Sequence, residues 1–166
     1  PGLFIVLNTN NYNAAEHAQT IEEAIQAYPD AAWRIVTIHQ DIYGSGYDHS
    51  DTDGMILRTQ LTPIFDQYDI DVVLQGHDHT YSRTKLLYGD GQTHDSYSMP
   101  LNEDGTDYDW DHAQNVATGE LYTLWPEEGD AAGQASKQAF VEGNQCYTIE
   151  DTTGNTVVNP EGTLYM

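Results

Sequence analysis

The sequence contains a single cysteine, Cys146, and therefore cannot form a disulfide within the chain. This excludes the small secreted folds that depend on disulfides for their stability. With 166 residues, the chain is long enough to fold around a hydrophobic core of its own. One cysteine does not identify the cellular compartment, because bacterial surface proteins and cytosolic proteins both commonly lack disulfides.

Basic residues are also scarce. Lys and Arg total 5, whereas Asp and Glu total 27, which gives a formal net charge of -22. Such a field repels phosphate backbones, so nucleic acid is not expected as a general partner, and it attracts divalent cations. The acidity favours an extracellular or cell-surface location in a bacterium, and a cytoplasmic location stays open.

Long hydrophobic runs are missing as well. The sequence has no stretch of about 18 apolar residues, and no membrane-spanning helix is expected. Short strand-like apolar segments lie at residues 3–7 and 162–166, at the two ends of the chain. We interpret both ends as cut from a larger domain.

The first half of the chain alternates between two kinds of segment. Apolar, strand-like segments lie at residues 3–7, 34–38 and 71–74, and amphipathic helical segments lie between them at residues 13–28 and 53–68. This order predicts an α/β fold in which helices flank a parallel sheet.

The composition changes after Tyr88. Residues 89–161 hold 15 of the 27 acidic residues and one basic residue, Lys137. Their periodicity is weak, and a segment of this length within a compact domain indicates an elaborated subdomain or a partly mobile insertion. The predicted division is a main part at 1–88 with a fourth strand at 81–87, an acidic insertion at 89–161 with a short helix at 131–142 and a strand at 146–149, and a further core strand beginning at 162–166.

Three histidines follow the predicted parallel strands. His39 follows the second strand, and His77 and His79 follow the third within Gly-His-Asp-His. Side chains at positions i and i+2 leave the backbone on the same side if the chain stays extended, and the carboxyl ends of neighbouring parallel strands share one edge. The pattern predicts a metal site, because imidazole suits Zn, Fe, Mn or Ni. A surface or core role stays open for His39.

Two motifs make the chain resemble a known family. They are Val-Thr-Ile-His at residues 36–39 and Gly-His-Asp-His-Thr-Tyr-Ser-Arg at residues 76–83. Together they resemble the calcineurin-like metallophosphoesterases, in particular the purple acid phosphatase-like branch. The resemblance implies a layered sheet with flanking helices and hydrolysis of a small phosphate ester at two metal ions (Fe, Zn or Mn). It also implies that His39 and His77 bind one metal and His79 the other.

The same resemblance gives His49 a role. In the purple acid phosphatase-like branch, a histidine at about this place contacts the phosphate or assists the leaving group, and imidazole can donate a proton near neutral pH. His49 lies in Tyr-Asp-His-Ser at residues 47–50, and an exposed loop histidine is the alternative interpretation.

The carboxylate ligands of the family are missing from this sequence. The family supplies them from Asp-x-His/Gln, Gly-Asp-x-x-Asp and Gly-Asn-His-Asp/Glu segments that precede the strand at residues 3–7, and none is present in that order. Gly-Asp-Gly-Gln at residues 89–92 and His-Asp at residues 94–95 mimic pieces of these segments but follow the histidine pair. We therefore expect the chain to supply only the histidine side of the two-metal site. Alone, it is expected to hold metal poorly and to show little turnover.

A second hypothesis is a binding or surface module without catalysis. Alternating aspartates can bind calcium through oxygen ligands, and exposed aromatic rings can stack on a sugar. A solvated loop and a small subdomain core are the alternative interpretations of these residues. The acidic residues are Asp104, Asp107, Asp109 and Asp111, and the aromatic residues are Tyr108, Trp110, Tyr122 and Trp125.

Overall fold

The computed structural model describes residues 1–44, 53–90, 92, 94–154 and 156–166. The helices are α1 (Ala14–Ala27), α2 (Asp53–Gln67) and α3 (Ala131–Gly143). The strands are β1 (Gly2–Val6), β2 (Trp33–Thr37), β3 (Val72–Leu74), β4 (Leu86–Tyr88), β5 (Tyr97–Ser98), β6 (His112–Asn115), β7 (Leu121–Thr123), β8 (Thr148–Ile149) and β9 (Thr163–Tyr165). No helix of the described ranges is long and apolar enough to cross a membrane.

Six strands form a mixed sheet in the order β1-β2-β3-β9-β4-β8. The first four are parallel, β4 is antiparallel to β9, and β8 is antiparallel to β4. Ile5 pairs with Val36, which pairs with Val73, so three buried apolar side chains line up across one face. The predicted α/β class is confirmed, and the histidine-bearing loops follow two adjacent parallel strands.

Helix α1 begins where the sequence predicts. Asn13 is its N-cap and accepts hydrogen bonds from the backbone N–H groups of Ala15 and Glu16 at 3.1 and 3.3 Å. The side-chain amide of Asn13 donates in return to the carboxylate of Glu16 at 2.9 Å. The two bonds that Asn13 accepts satisfy backbone N–H groups that a helix start leaves without intrahelical partners.

Helix α2 covers one face of the sheet. Its apolar residues Leu57, Leu61 and Phe65 are all 0% exposed, and Phe65 packs against Tyr165 of β9. Burial of this kind contributes roughly 1.5–3 kcal/mol for each large side chain. The core of the main part therefore lies between α1, α2 and this face.

The opposite face of the sheet is open. Phe4 and Val6 of β1 are 64% and 74% exposed, and Trp33 of β2 and Leu74 of β3 are 55% and 37% exposed. Parallel sheets usually bury both faces, because helices or a further layer cover each of them. In the described part of the chain, helices bury only the face beneath Val36.

The acidic region is more regular than its sequence suggests. Strands β5, β6 and β7 form a separate antiparallel sheet, which packs with α3 around a second apolar cluster. These strands have two to four residues each, too short for a clear alternating pattern. The helix predicted at 131–142 is confirmed as α3, and the strand predicted at 146–149 is present but begins only at Thr148. The fourth strand was placed too early, because regular pairing begins at Leu86. The division at 88 and 161 stays a prediction.

The start of α2 gives a prediction with an unusual sign. A glycine-to-alanine change inside a helix normally stabilises a protein by up to about 1 kcal/mol. A Cβ at Gly54 would lie 2.5 Å from the carbonyl oxygen of Asp41, whereas a Cβ at Gly143 in α3 would meet no atom within 4 Å. We expect Gly54→Ala to destabilise the fold by about 1–3 kcal/mol and Gly143→Ala to be neutral or stabilising, as measured by urea denaturation. Equal effects of the two changes would contradict the close packing of α2 on Asp41.

Candidate metal centre

His39 lies directly beyond β2. Hydrogen bonds connect its loop to the segments that follow β1 and β3. Its backbone N–H donates to the hydroxyl of Thr9, beyond β1, at 3.3 Å. Its carbonyl oxygen accepts from the N–H of Gly76, beyond β3, at 3.0 Å. The parallel ladder thus continues past the strand ends and fixes the position of His39 relative to the Gly-His-Asp-His loop.

The imidazole rings of His39 and His77 are in edge-to-face contact, with one nitrogen of each ring directed at the other. Nε2 of His39 and Nδ1 of His77 are 3.0 Å apart, and the ring centroids are 4.8 Å apart at an interplanar angle of 66°. One nitrogen donates and the other accepts, according to the tautomer. The structure therefore brings together two of the three predicted ligands.

The nitrogen separation fits two ligands of one metal ion. With metal–nitrogen bonds of about 2.0–2.1 Å, two nitrogens 3.0 Å apart subtend about 90–100° at the metal. That angle suits neighbouring positions of octahedral or distorted tetrahedral coordination. His39 is exposed and His77 is half-buried, so both rings are accessible from solvent.

The histidine loop is not extended. His77 and His79 have φ angles of 76° and 53°, in the left-handed region that residues other than glycine rarely adopt. The condition for both side chains to leave on one side of an extended strand is therefore not met. Such backbone conformations cost roughly 1–3 kcal/mol each and cluster at functional sites, where the surrounding structure enforces them.

The remaining two predicted site residues are His79, the third ligand, and His49, the proton donor. His79 is exposed, and no group of three His, Cys, Asp or Glu side chains within the described ranges has the geometry to hold a metal. The structure thus joins His39 with His77 but does not add His79 to them. His49 lies outside the described residues.

Two buried aspartates accompany the histidines. Asp41 and Asp78 are 2% and 7% exposed, and each is close in sequence to a predicted ligand. Burial raises the pKa of Asp41 to about 6, and the negative charge of Asp78 and a hydrogen bond between the two groups add to this effect. A Cβ at Gly44 would lie 2.3 Å from Oδ2 of Asp78, so only glycine leaves room for the carboxylates.

Sequence reasoning found only part of this arrangement. Neither Asp41 nor Asp78 is among the predicted site residues. The signal for Asp41 was its spacing in His-Gln-Asp, two residues after His39 at a strand end. Gln75 links the same loops, because its side-chain amide oxygen, Oε1, accepts from the backbone N–H groups of Ile42 and Tyr43 at 3.1 and 3.4 Å.

A polar network lies at the ends of β1 and β2. The hydroxyl of Thr9, 2% exposed, donates to the side-chain carbonyl of Gln40, whose amide donates to Asn10 at 3.4 Å. Because Thr9 also accepts from the backbone of His39, this network holds the ligand loop from the side of β1.

The residues of the second hypothesis are spread over the acidic region. Asp109 contacts His112 at 2.9 Å and Asp104 accepts from Thr106, but no cluster of three acidic or histidine groups suited to a metal occurs in the described ranges. Tyr122 packs against Tyr97 and Phe140 in the second core, as the small-core interpretation predicts. Two aromatic residues stay about half exposed, Trp110 and Trp125.

Comparison with known proteins gives short similarities. The chain is 38% identical over 58 residues to a purple acid phosphatase of Glycine max and to the Fe(3+)-Zn(2+) purple acid phosphatase 12 of Arabidopsis thaliana. It is 37% identical over 57 residues to an uncharacterized protein of Mycobacterium tuberculosis. These segments cover 34–35% of this chain and 11–12% of the relatives.

Two further comparisons give no match. No protein-family profile matches the chain, and no solved structure matches it significantly. The similarity to purple acid phosphatases thus rests on about a third of the chain. It supports a distant relation to the metallophosphoesterases.

Proposed function

We propose that the protein hydrolyses a small phosphate ester with the help of two metal ions, and that this chain supplies histidine ligands. The observation that carries the proposal is the pair of imidazole nitrogens 3.0 Å apart at the carboxyl ends of β2 and β3. The short similarity to purple acid phosphatases, one of which is named as an Fe(3+)-Zn(2+) enzyme, supports the same reaction class.

In this proposal the residues of this chain bind the metal ions and position them. His39 and His77 hold one metal ion through the facing nitrogens, and His79 holds the second. Fe, Zn or Mn ions suit imidazole together with carboxylates. When bound, such ions stabilise the attacking and leaving oxygens of an in-line displacement. Such a centre also needs carboxylate ligands, and the proposal assigns that role to no residue of this chain.

Other residues serve these ligands. The hydrogen bonds from Thr9 and Gly76 keep His39 opposite His77, and the buried pair of Asp41 and Asp78 packs the two ligand loops together. His49 donates a proton to the leaving group and contacts the phosphate. We propose a small phosphate ester outside the bacterial cell as the substrate. Nucleic acid is disfavoured as an alternative substrate, because the acidic surface repels its phosphates.

The experiment uses the intact protein and a chromogenic phosphate monoester. Treatment with a chelator is expected to abolish hydrolysis, and addition of Zn, Fe or Mn to restore it. His77→Ala should lower kcat/KM by at least about 100-fold, because a ligand is lost. His112→Ala is the matched control, since His112 lies on β6 and pairs with Asp109.

Unchanged hydrolysis after chelation, or in His77→Ala, would refute the proposal. The isolated 166-residue chain is expected to show little turnover, because its described residues contain no group of three metal ligands. Robust metal-dependent turnover by this chain would show that the carboxylate ligands lie within it.

The non-catalytic module is the competing function. The half-exposed side chains of Trp110 and Trp125 favour it, because an aromatic ring at a surface can stack on a sugar. Sugar binding that Trp110→Ala abolishes, in an intact protein without hydrolytic activity, would establish this alternative.

A further inference from the structure

One pocket of the structure is lined by neither His39 nor His77. It has a volume of about 370 Å³ and opens between α2, the start of β4 and the segment that precedes β8. Its polar lining includes Tyr43, Arg58, Lys85 and Gln145. None of its described lining residues is acidic, although the chain contains 27 Asp and Glu residues. Two of the five basic residues therefore meet in one pocket whose described lining contains no carboxylate.

Arg58 brings a buried positive charge to this pocket. Arg58 lies in α2, and the whole residue is 9% exposed. Nε donates to the carbonyl of Ile42 at 2.5 Å, Nη1 donates to the carbonyl of Asn144 at 3.1 Å, and the guanidinium carbon lies 4.5 Å from the ring centroid of Tyr43. These contacts fix the guanidinium but bring no negative charge.

The charge of Arg58 has no counter-ion within the described part of the chain. The ion pairs found there are Arg34–Asp69, His94–Asp90 and His112–Asp109. Burial lowers the pKa of Arg58, but a guanidinium stays protonated in proteins. The neighbouring thiol of Cys146 does not neutralise it, because burial raises the pKa of that thiol to about 11. Buried charges are ordinarily paired, so an anion bound in the pocket would supply the counter-charge to Arg58.

We propose that this pocket binds a small phosphate-type oxyanion, held by Arg58 inside and Lys85 at the mouth. A guanidinium presents its donors in a fork that matches two oxygens of a phosphate, and the exposed ammonium of Lys85 adds a second charge. The apolar side chains of Leu87 and Ile149 also line the pocket and leave room for an organic group on the phosphate. This site requires neither the facing histidines nor a metal, and it does not rest on the proposed function.

The test is calorimetric titration of the 166-residue chain with inorganic phosphate and, separately, phenyl phosphate. A chelator is present throughout, and sodium chloride at matched ionic strength is the salt control. We expect saturable binding of phosphate but not of chloride. Tighter binding of phenyl phosphate would identify the ligand as a phosphate monoester, and equal affinity would identify it as the free anion.

Three variants locate the site. Arg58→Gln should abolish binding, and circular dichroism checks that this variant folds. Lys85 is exposed, so Lys85→Met leaves the core intact. This change should weaken binding roughly fivefold. Lys137→Met removes a lysine that lies over Trp125 and should leave binding unchanged. Absence of saturable phosphate binding, or an equal loss in Lys85→Met and Lys137→Met, would overturn the proposal.

Discussion

Replacement of Phe65 by alanine is expected to lower the free energy of unfolding by about 3–5 kcal/mol. The side chain is 0% exposed, and its ring centroid lies 6.4 Å from that of Tyr165 at the centre of the main core. Alanine would remove the ring from a site where α2 and the sheet hold the surrounding atoms in place. Urea denaturation of the 166-residue chain, followed by circular dichroism, measures the change.

Phe4 provides a control of the same residue type on the opposite face of the sheet. It is 64% exposed, so Phe4→Ala should change the free energy of unfolding by less than about 0.5 kcal/mol. The contrast tests whether helices cover only one face of the sheet. A loss of several kcal/mol in Phe4→Ala would show that something buries the face on which Phe4 lies.

The second large effect concerns metal affinity. His39→Ala and His77→Ala should each weaken Zn²⁺ binding to the intact protein by more than about 100-fold, since even residues that only orient a ligand contribute about 10–100-fold. The two losses should not add, because one imidazole alone forms a poor site. Competition with a chromophoric chelator measures these affinities.

His17 offers the matched control for this titration. It is 3% exposed, and its Nε2 lies 2.7 Å from the backbone carbonyl oxygen of Asn11. A buried ring in this hydrogen bond is not accessible to a metal ion from solvent. His17→Gln should therefore leave Zn²⁺ affinity unchanged. A loss in His17→Gln as large as that in His77→Ala would indicate general destabilisation instead of the loss of a ligand.

Strong local patterns made much of the main part predictable from sequence. The helix that follows Asn13 combines a capping residue with apolar residues at helical spacing, and β1, β2 and β3 are rich in apolar residues. Local chemistry and burial agree in these segments. The three-stranded sheet at β5, β6 and β7 was missed, because its short strands are stabilised by contacts with α3 that no local pattern reveals.

The candidate site was predictable to a similar extent. The placement of His39 beside His77 follows from parallel strands that end at one edge, and the structure has the two rings in contact. The left-handed backbone at His77 and His79 was not foreseen, because the sequence prediction assumed an extended chain. The buried pair of Asp41 and Asp78 depends on how two loops pack, and sequence spacing does not reveal that packing.

The central claim is that His39 and His77 are neighbouring ligands of one metal ion. The most direct measurement is a long-range ¹H–¹⁵N NMR spectrum of the imidazole nitrogens in the intact protein during titration with Zn²⁺. We predict that Nε2 of His39 and Nδ1 of His77 shift together, whereas the nitrogens of His17 and His112 do not. Shifts of only one member of the pair, or shifts no larger than those of His17 and His112, would contradict the account.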